Sequence, residues 1–426
     1  MTGSRVSFVT FGCRVNQYET TMMQRCLESA HSVVAGDADV YVLNACTVTS
    51  LAERKARQTA RRIRREHPES TIVVIGCLAD AVEKGLTCFG DADLLAGNAW
   101  KTRVAEVIER AHTGARGLLP AIEPRPIAEE ASAGSSKRTR AYLKVQDGCS
   151  RACTYCRTTQ VRGAPRSKPV DDAVAEAEVL VRSGFPEIVL TGINLAQYAP
   201  SSGALADVIR GVLAIDGLLR VRIASINPAG LTVPLIEAIG ADERACPHFH
   251  VPLQSGDDRI LRRMARGYTI LDYIRTIDAV RDRIPHATFG TDAIVGFPGE
   301  DEAAFANTHR AIEAVGFTNL HVFRYSPRTG TIAADLPDPV REDVKRQRAD
   351  LLVRQWREAL CRQLDTRIGS TQHVLVEERR GDEWRGYTSD YLYVHFASDE
   401  GIPVGSIRPV RIVEIVEEHL KGTVDE

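Results

Sequence analysis

The chain has 426 residues, 44% hydrophobic and 26% charged, with a formal net charge of -2. That length exceeds one ordinary core and predicts two to three domains of globular composition. Charge this close to neutral excludes bulk attraction to nucleic acid, so any polyanion site is a local patch. No run approaches the roughly 20 apolar residues of a membrane span. The opening MTGSRVSFVTFGC lacks the apolar core of a signal peptide, so a cytoplasmic location is expected. There the ten cysteines are ligands, reactive groups or small core residues rather than disulfides.

In chain order, RVSFVTF, DVYVLN and TIVVIG are short β-rich runs, separated by the helical stretches NQYETTMMQRCLESA and SLAERKARQTARRIRREH. Strands alternating with helices predict an α/β domain with a parallel sheet over residues 1–112. Residues 113–137, rich in Pro, Gly, Ala and Ser without a period, read as a linker. From 138 to 367 a second α/β series follows, with strands AYLKVQ, EIVLTGI, RVRIASI, HFHVPL, ATFGTDAIVGF and NLHVFRYS. About six strands predict a partial, open βα barrel. One long charged helix, from about 340, closes this series. Residues 368–426 show only β patterns and short turns, which predicts a small β-barrel.

GCSRACTYC places Cys149, Cys153 and Cys156 with three and two intervening residues. They follow AYLKVQ through a Gly-containing turn, at the strand end where α/β barrels build ligand sites. Soft thiolates select zinc or iron–sulfur clusters. Structural zinc wants four ligands, whereas three thiolates on a four-iron cluster leave one iron free to bind something else. The alternatives are zinc completed by a distant residue, or three small buried residues. Cys13, Cys46 and Cys77 each end one of the first three strands. Ligands collect at strand ends of parallel sheets, so these three are expected to converge on a second cluster. Coincidental core cysteines are the alternative. Cys26, Cys88, Cys246 and Cys361 show no such pattern and read as structural.

With both triads in hand, the chain resembles the radical-SAM methylthiotransferases, in the branch that modifies N6-threonylcarbamoyladenosine at position 37 of tRNA. FGCRVNQYET, NACTVT and IGC carry the N-terminal part of the resemblance; its CRVN form points to that branch. QDGCSRACTYC, EIVLTGINLAQY, HFHVPLQSG, RRMARGYT, TDAIVGFPGE and HVFRYSPRTGT match the central domain in order, and the β-rich tail resembles the TRAM domain.

The resemblance implies that Cys149, Cys153 and Cys156 hold a four-iron cluster that chelates S-adenosylmethionine and generates a 5′-deoxyadenosyl radical. It implies that Cys13, Cys46 and Cys77 hold an auxiliary four-iron cluster that carries or delivers sulfur, with one S-adenosylmethionine used for methylation and another for the radical. Implied partners are tRNA, through its anticodon stem-loop, and an electron donor such as flavodoxin or ferredoxin. A monomer with no membrane association is expected. A methylthiotransferase acting on a ribosomal-protein aspartate and a non-catalytic RNA-binding iron–sulfur redox protein are the rival readings. Unactivated aromatic C2–H has neither an acidic proton nor a leaving group, so the hard chemistry belongs to cofactors.

By the same resemblance, Thr191 and Gly192 in LTGIN face the methionine end of the cofactor, and Ser225, Asn227, Gly296 and Gly299 its ribose and adenine. Gln254 in PLQSG reaches the same mouth. His248 and His250 alternate along one strand, so both face one side and read as barrel-lining rather than metal ligands. Arg54, Arg57, Arg61, Arg64 and Arg65 recur near helical spacing and are candidates for a phosphate-binding face. In the C-terminal barrel Arg385, Tyr387, Tyr391 and Tyr393 mix cations and aromatics suited to RNA. The chain departs from the family at Arg157, Thr158 and Thr159, in place of an apolar wall after the third cysteine, although Arg162 and Gly163 are retained. It departs again at Asp80, where glutamine is common, and at Arg324, where proline is usual.

Overall fold

The computed structural model describes residues 4–127, 139–398 and 401–424. Residues 128–137 of the stretch read as a linker, and residue 138, lie outside the described residues.

The first unit runs β1 (Arg5–Thr10), α1 (Arg14–Leu27), β2 (Ser32–Val33), β3 (Val40–Asn44), α2 (Ser50–Glu66), β4 (Thr71–Ile75), α3 (Cys77–Glu83), β5 (Leu94–Ala96), α4 (Val104–His112) and β6 (Gly117–Leu118). All six strands pair in parallel, in the order β2-β1-β3-β4-β5-β6. β3 is buried along its whole length, as expected for a sheet covered by helices on both faces. Helix α2 starts where Thr49 caps it, accepting from Ala52 N at 3.2 Å. Its buried Ala56, Ala60 and Ile63 recur at helical spacing, leaving a basic outer face. β6 falls inside the stretch read as linker. It pairs with β5 and the following Leu119 joins the core, but a two-residue strand has no alternation to reveal it.

The central unit runs β7 (Arg140–Asp147), α5 (Thr158–Arg162), β8 (Arg166–Ser167), α6 (Val170–Arg182), β9 (Glu187–Gly192), α7 (Leu205–Leu213), β10 (Arg220–Ile223), α8 (Val233–Gly240), β11 (His248–His250), α9 (Asp258–Arg263), α10 (Ile270–Arg283), β12 (Thr288–Val295), α11 (Glu302–Val315), β13 (Asn319–Arg324) and α12 (Glu342–Asp365). Strands β7, β9 and β10 are parallel neighbours, as are β11, β12 and β13, and a Val221–Ala245 bridge joins the halves. Among the described residues β7 and β13 do not pair, so the six parallel strands form an open barrel.

Strands β14 (Thr371–Arg380), β15 (Glu383–Tyr387), β16 (Tyr393–Ala397), β17 (Ile407–Val416) and β18 (His419–Thr423) close into a second, small barrel. Leu360 and Leu364 of α12 share its core. Its β15–β16 turn docks under the starts of the central strands. Arg222 donates to Ser389 O at 3.0 Å, Thr288 to Asp390 O at 2.7 Å, and the Tyr391 ring stacks on His248 at 4.9 Å.

Candidate functional site

Strand register explains why Cys13, Cys46 and Cys77 meet. Thr10 pairs with Asn44 and Asn44 with Ile75, so the three strands end level and each cysteine follows within three residues. Close approach depends on Gly12, at φ +97°, where an added Cβ would lie 2.5 Å from Cys46 Cβ. Burial, reinforced by the neighbouring Cys77 and Cys13 thiols, pushes the Cys46 thiol up to about 12. Burial also raises Cys13, against the pull of Arg162.

Beside this triad lies a buried charge network that no motif announced. Arg162 donates to Glu19 Oε1 at 2.8 Å, Asp147 Oδ1 at 2.9 Å and Asn16 Oδ1 at 2.7 Å, and its Nε reaches Cys77 Sγ at 3.3 Å. Lys144 reaches Glu19 and Asp147 at 3.1 and 3.2 Å; Lys101 pairs with Glu19 and Arg166 with Asp147. Glu19 is held well below the usual carboxylate range: burial opposes this, but Arg162, Lys101 and Lys144 outweigh it. Four cations thus meet Glu19 and Asp147, with Asp80 also acting on Lys101 and Arg162, in a mostly buried seam between the first and central units. Buried charge needs a partner, and the positive excess faces the thiols. An anionic thiolate-bound cluster supplies the missing negative charge, so these residues fit an iron–sulfur group.

The second triad sits in the loop after β7. Gly148, at φ +72°, permits a turn in which an added Cβ would strike Ala164 O. Burial raises the Cys156 thiol, with Cys153 and Cys149 adding to the shift. Here the sulfurs meet mainly neutral donors. Arg151 N reaches Cys149 Sγ at 3.4 Å, Thr158 N reaches Cys156 Sγ at 3.4 Å, and Thr158 Oγ1 lies 3.1 Å from the same sulfur. Asn194 donates to Cys149 Sγ at 3.5 Å and Arg266 to Cys153 Sγ at 3.4 Å. Asn227 ties these two together, donating to Asn194 at 2.8 Å and accepting from Arg266 at 2.6 Å. Among the described residues, only His250, Asp292 and His321 bring three ligand atoms within 4.8 Å of one another.

The expected cofactor residues divide. Thr191, buried, and Gly192 lie at the end of β9; an added Cβ on Gly192 would meet Gln146 and Leu195. Asn227 belongs to the ring around the loop triad, and Ser225 lies two residues before it after β10. Gln254, at φ +67°, bridges Ala293 and lines a cavity of about 600 Å³. Gly296 and Gly299 turn the chain after β12, where an added Cβ would meet Lys345 and Arg263. Sequence reading missed Arg266, Asn194, Glu19, Lys101 and Lys144. A signal was present in the lysines and carboxylates on otherwise apolar strand and helix faces.

The 600 Å³ cavity lies between Thr49–Leu51 after Cys46, Tyr155 inside the loop triad, and Asp292, Ile294 and Arg324 of the barrel lumen. His250 Nε2 and His321 Nδ1 lie 3.2 and 3.0 Å from Asp292 Oδ1, and these two histidines hold the Asp292 carboxyl below its usual range against burial. His248 bonds Thr288 at 3.0 Å and stacks on Tyr391, a lining and packing role.

Arg157 does not wall the loop triad. Its buried guanidinium turns to the first unit, donating to Leu86 O at 2.9 Å and Thr47 Oγ1 at 3.3 Å, and to Thr329 O at 2.8 Å. Asp80 bonds Asn98 N at 3.0 Å, and burial pushes its carboxyl up to about 6. Arg324 pairs with Glu342 at 2.9 Å.

Of the basic helix residues, Arg57, Arg61 and Arg64 pair with Glu53, Asp91 and Asp93. Arg54 and Arg65 are exposed with no ion pair among the described residues, and Arg54 lines the cavity. Arg385 pairs with Glu383 at 3.5 Å. Tyr387 lies half-buried between Tyr391 and Tyr393 with Arg140 above its ring, facing the central unit.

The Radical SAM superfamily model matches residues 143–312, and that of Uncharacterized protein family UPF0004 matches residues 5–97. Threonylcarbamoyladenosine tRNA methylthiotransferase MtaB of Thermotoga maritima is 35% identical over 97% of this chain and 95% of its own. The same-named protein of Bacillus subtilis is 32% identical over 96% and 94%. The tRNA-2-methylthio-N(6)-dimethylallyladenosine synthase of Pelotomaculum thermopropionicum is 32% identical over 97% and 96%. The radical S-adenosylmethionine methyltransferase TsrM of Kitasatospora setae, solved with cobalamin and a 4Fe-4S cluster, matches with a TM-score of 0.58. At 15% identity, over 78% of this chain and 77% of that one, it shares the fold alone.

Proposed function

This chain belongs to the radical-SAM methylthiotransferases, which work with S-adenosylmethionine and two four-iron clusters, and from that premise we propose that it converts N6-threonylcarbamoyladenosine at position 37 of tRNA to its 2-methylthio derivative. One observation carries the reading. The helix α5 begins two residues after Cys156 and ends at Arg162, whose guanidinium touches Cys77. At about 1.5 Å per residue its five residues span roughly 7 Å, so one short helix and one arginine side chain link the two triads. A radical generator and a sulfur donor must both reach one C2 atom, and this proximity allows it.

In this reading Cys149, Cys153 and Cys156 hold the cluster that binds S-adenosylmethionine, while Cys13, Cys46 and Cys77 hold the other. When bound, these groups supply one-electron cleavage, the methyl group and the sulfur. The chain's own side chains do the rest. Asn194, Arg266 and Thr158 fix the loop sulfurs, and Thr191, Gly192, Ser225 and Asn227 orient the cofactor. Arg162 and its network neutralise the auxiliary thiolates. Gln254, Asp292 and Tyr155 line the chamber that takes the base out of water. Arg54 and Arg65, with the C-terminal barrel, hold the anticodon stem-loop, and a flavodoxin or ferredoxin delivers electrons to a monomer.

Nucleoside mass spectrometry of total tRNA from cells with and without the gene tests this. Loss of the methylthio form with accumulation of plain threonylcarbamoyladenosine is expected. Loss of methylthio-dimethylallyladenosine instead would move the assignment to the other tRNA substrate named among the relatives. An unchanged tRNA profile, with a methylthio group lost from a ribosomal protein, would move it off tRNA altogether.

A further inference from the structure

Below the upper chamber lies a second cavity of about 480 Å³, between the barrel lumen and the C-terminal barrel. Arg14, His250 and His321 line it, and Tyr391 of the C-terminal barrel forms part of its floor. Arg14 follows Cys13 directly, and its side chain lines this cavity. Its Nη2 meets the Tyr391 hydroxyl at 3.4 Å, at the long limit of a hydrogen bond. Among the described residues no carboxylate pairs with it. The acids nearby are already engaged: Glu418 of the lining by Arg357, Asp292 by the two histidines, and Glu187 by Arg222 of the lining. Arg14 therefore brings to this cavity a guanidinium free to take an anion.

We propose that Arg14, with His250 and His321 beside it, forms a subsite for the carboxylate on the N6 substituent of the target adenosine. This rests on the substrate reading above, in which the substituent is a threonylcarbamoyl group ending in one carboxylate and one hydroxyl. On adenine, C2 and C6 are separated only by N1. A base whose C2 faces the auxiliary triad thus presents its N6 substituent within one arginine side chain of Cys13. The guanidinium matches a carboxylate bidentately, the Tyr391 hydroxyl is a partner for the threonyl hydroxyl, and Asp292 orients the two imidazoles.

The test uses full-length tRNA carrying at position 37 either threonylcarbamoyladenosine or its methyl ester, which keeps the shape and removes the charge. The readout is the ratio of kcat/KM for acid over ester, taken within each variant so that a general loss of activity cancels. The same ratio in Kd, from fluorescence anisotropy, reads the subsite without turnover. Charge-assisted hydrogen bonds set the wild-type preference for the acid at about 10- to 100-fold. Arg14→Gln should bring the ratio close to one, and Arg14→Lys should keep part of it. An Arg14→Gln enzyme that retains the wild-type ratio overturns the subsite. So does a wild-type enzyme that modifies acid and ester equally well, with the substrate reading intact. A wild-type enzyme active only on adenosine bearing an uncharged alkyl group overturns both.

Discussion

The two thiol triads solve one problem in opposite ways. The loop triad gathers three sulfurs from eight consecutive residues and surrounds them mainly with neutral donors: two backbone N–H groups, Thr158 and Asn194, with Arg266 as the one cation. The N-terminal triad draws one sulfur from each of three strands and sets it against a buried cationic network. A local loop can hold its cluster with short-range hydrogen bonds. A site assembled across a sheet and a domain seam needs charge to hold its parts, because the pieces share no backbone.

The largest expected effect separates the triads by chemistry. Cys153→Ala should abolish both S-adenosylmethionine cleavage to 5′-deoxyadenosine and product formation. Cys13→Ala should abolish methylthio product while cleavage persists. Chromatography of both products decides it; full methylthiolation by Cys13→Ala would remove the N-terminal triad from the reaction.

Glu19→Gln tests the charged seam. It leaves four cations facing only Asp147 and the more distant Asp80, and breaking a buried ion network costs about 3–5 kcal/mol. Denaturant titration of the reconstituted enzyme measures this, and a loss below about 1 kcal/mol would show that Glu19 behaves as an exposed pair.

Glu53 clamps the first unit to the central one through Arg328, while Arg57 and Thr87 hold it within its own unit. Its carboxyl is drawn down to about 2: burial opposes the shift, and hydrogen bonds from Thr87, Arg328 and Arg57 prevail. A depressed carboxylate contributes stability above its unfolded value near 4.5 and loses it as pH falls toward 2. Glu53→Gln should therefore cost about 2–3 kcal/mol at pH 7 and progressively less below pH 4. A cost independent of pH would mean that shape, not charge, is lost.

The smallest effect belongs to the loop triad. Thr158→Val removes the Oγ1–Sγ contact of 3.1 Å. Hydrogen bonds to cluster sulfurs stabilise the reduced, more negative state, so the potential of that cluster should move negative in an EPR-monitored redox titration. An unmoved potential would mean that the hydroxyl points elsewhere once the cluster is in place.

Much of this was legible in the sequence, for reasons that differ by element. Strand and helix alternation, and a cysteine at each strand end, are local patterns, so the parallel sheet and both triads could be read directly. The role of Arg157 was not, because an arginine beside a cluster loop has two possible directions and only tertiary contacts with Thr47 and Leu86 choose between them. The basic face of α2 misleads for a related reason. Charge periodicity shows which residues share a side, whereas Asp91 and Asp93, which engage Arg61 and Arg64, come from a distant segment. Glu19 illustrates the limit: a lone acid in NQYET gains meaning only when Lys101, Lys144 and Arg162 arrive from elsewhere.

The stacking of Tyr391 on His248 seats the C-terminal barrel against the strand-start end of the lumen. With the C-terminal barrel corking the strand-start end, the lumen is a cul-de-sac, and a polynucleotide cannot be threaded through it. One nucleoside has to swing out of its loop, enter and leave by the same mouth.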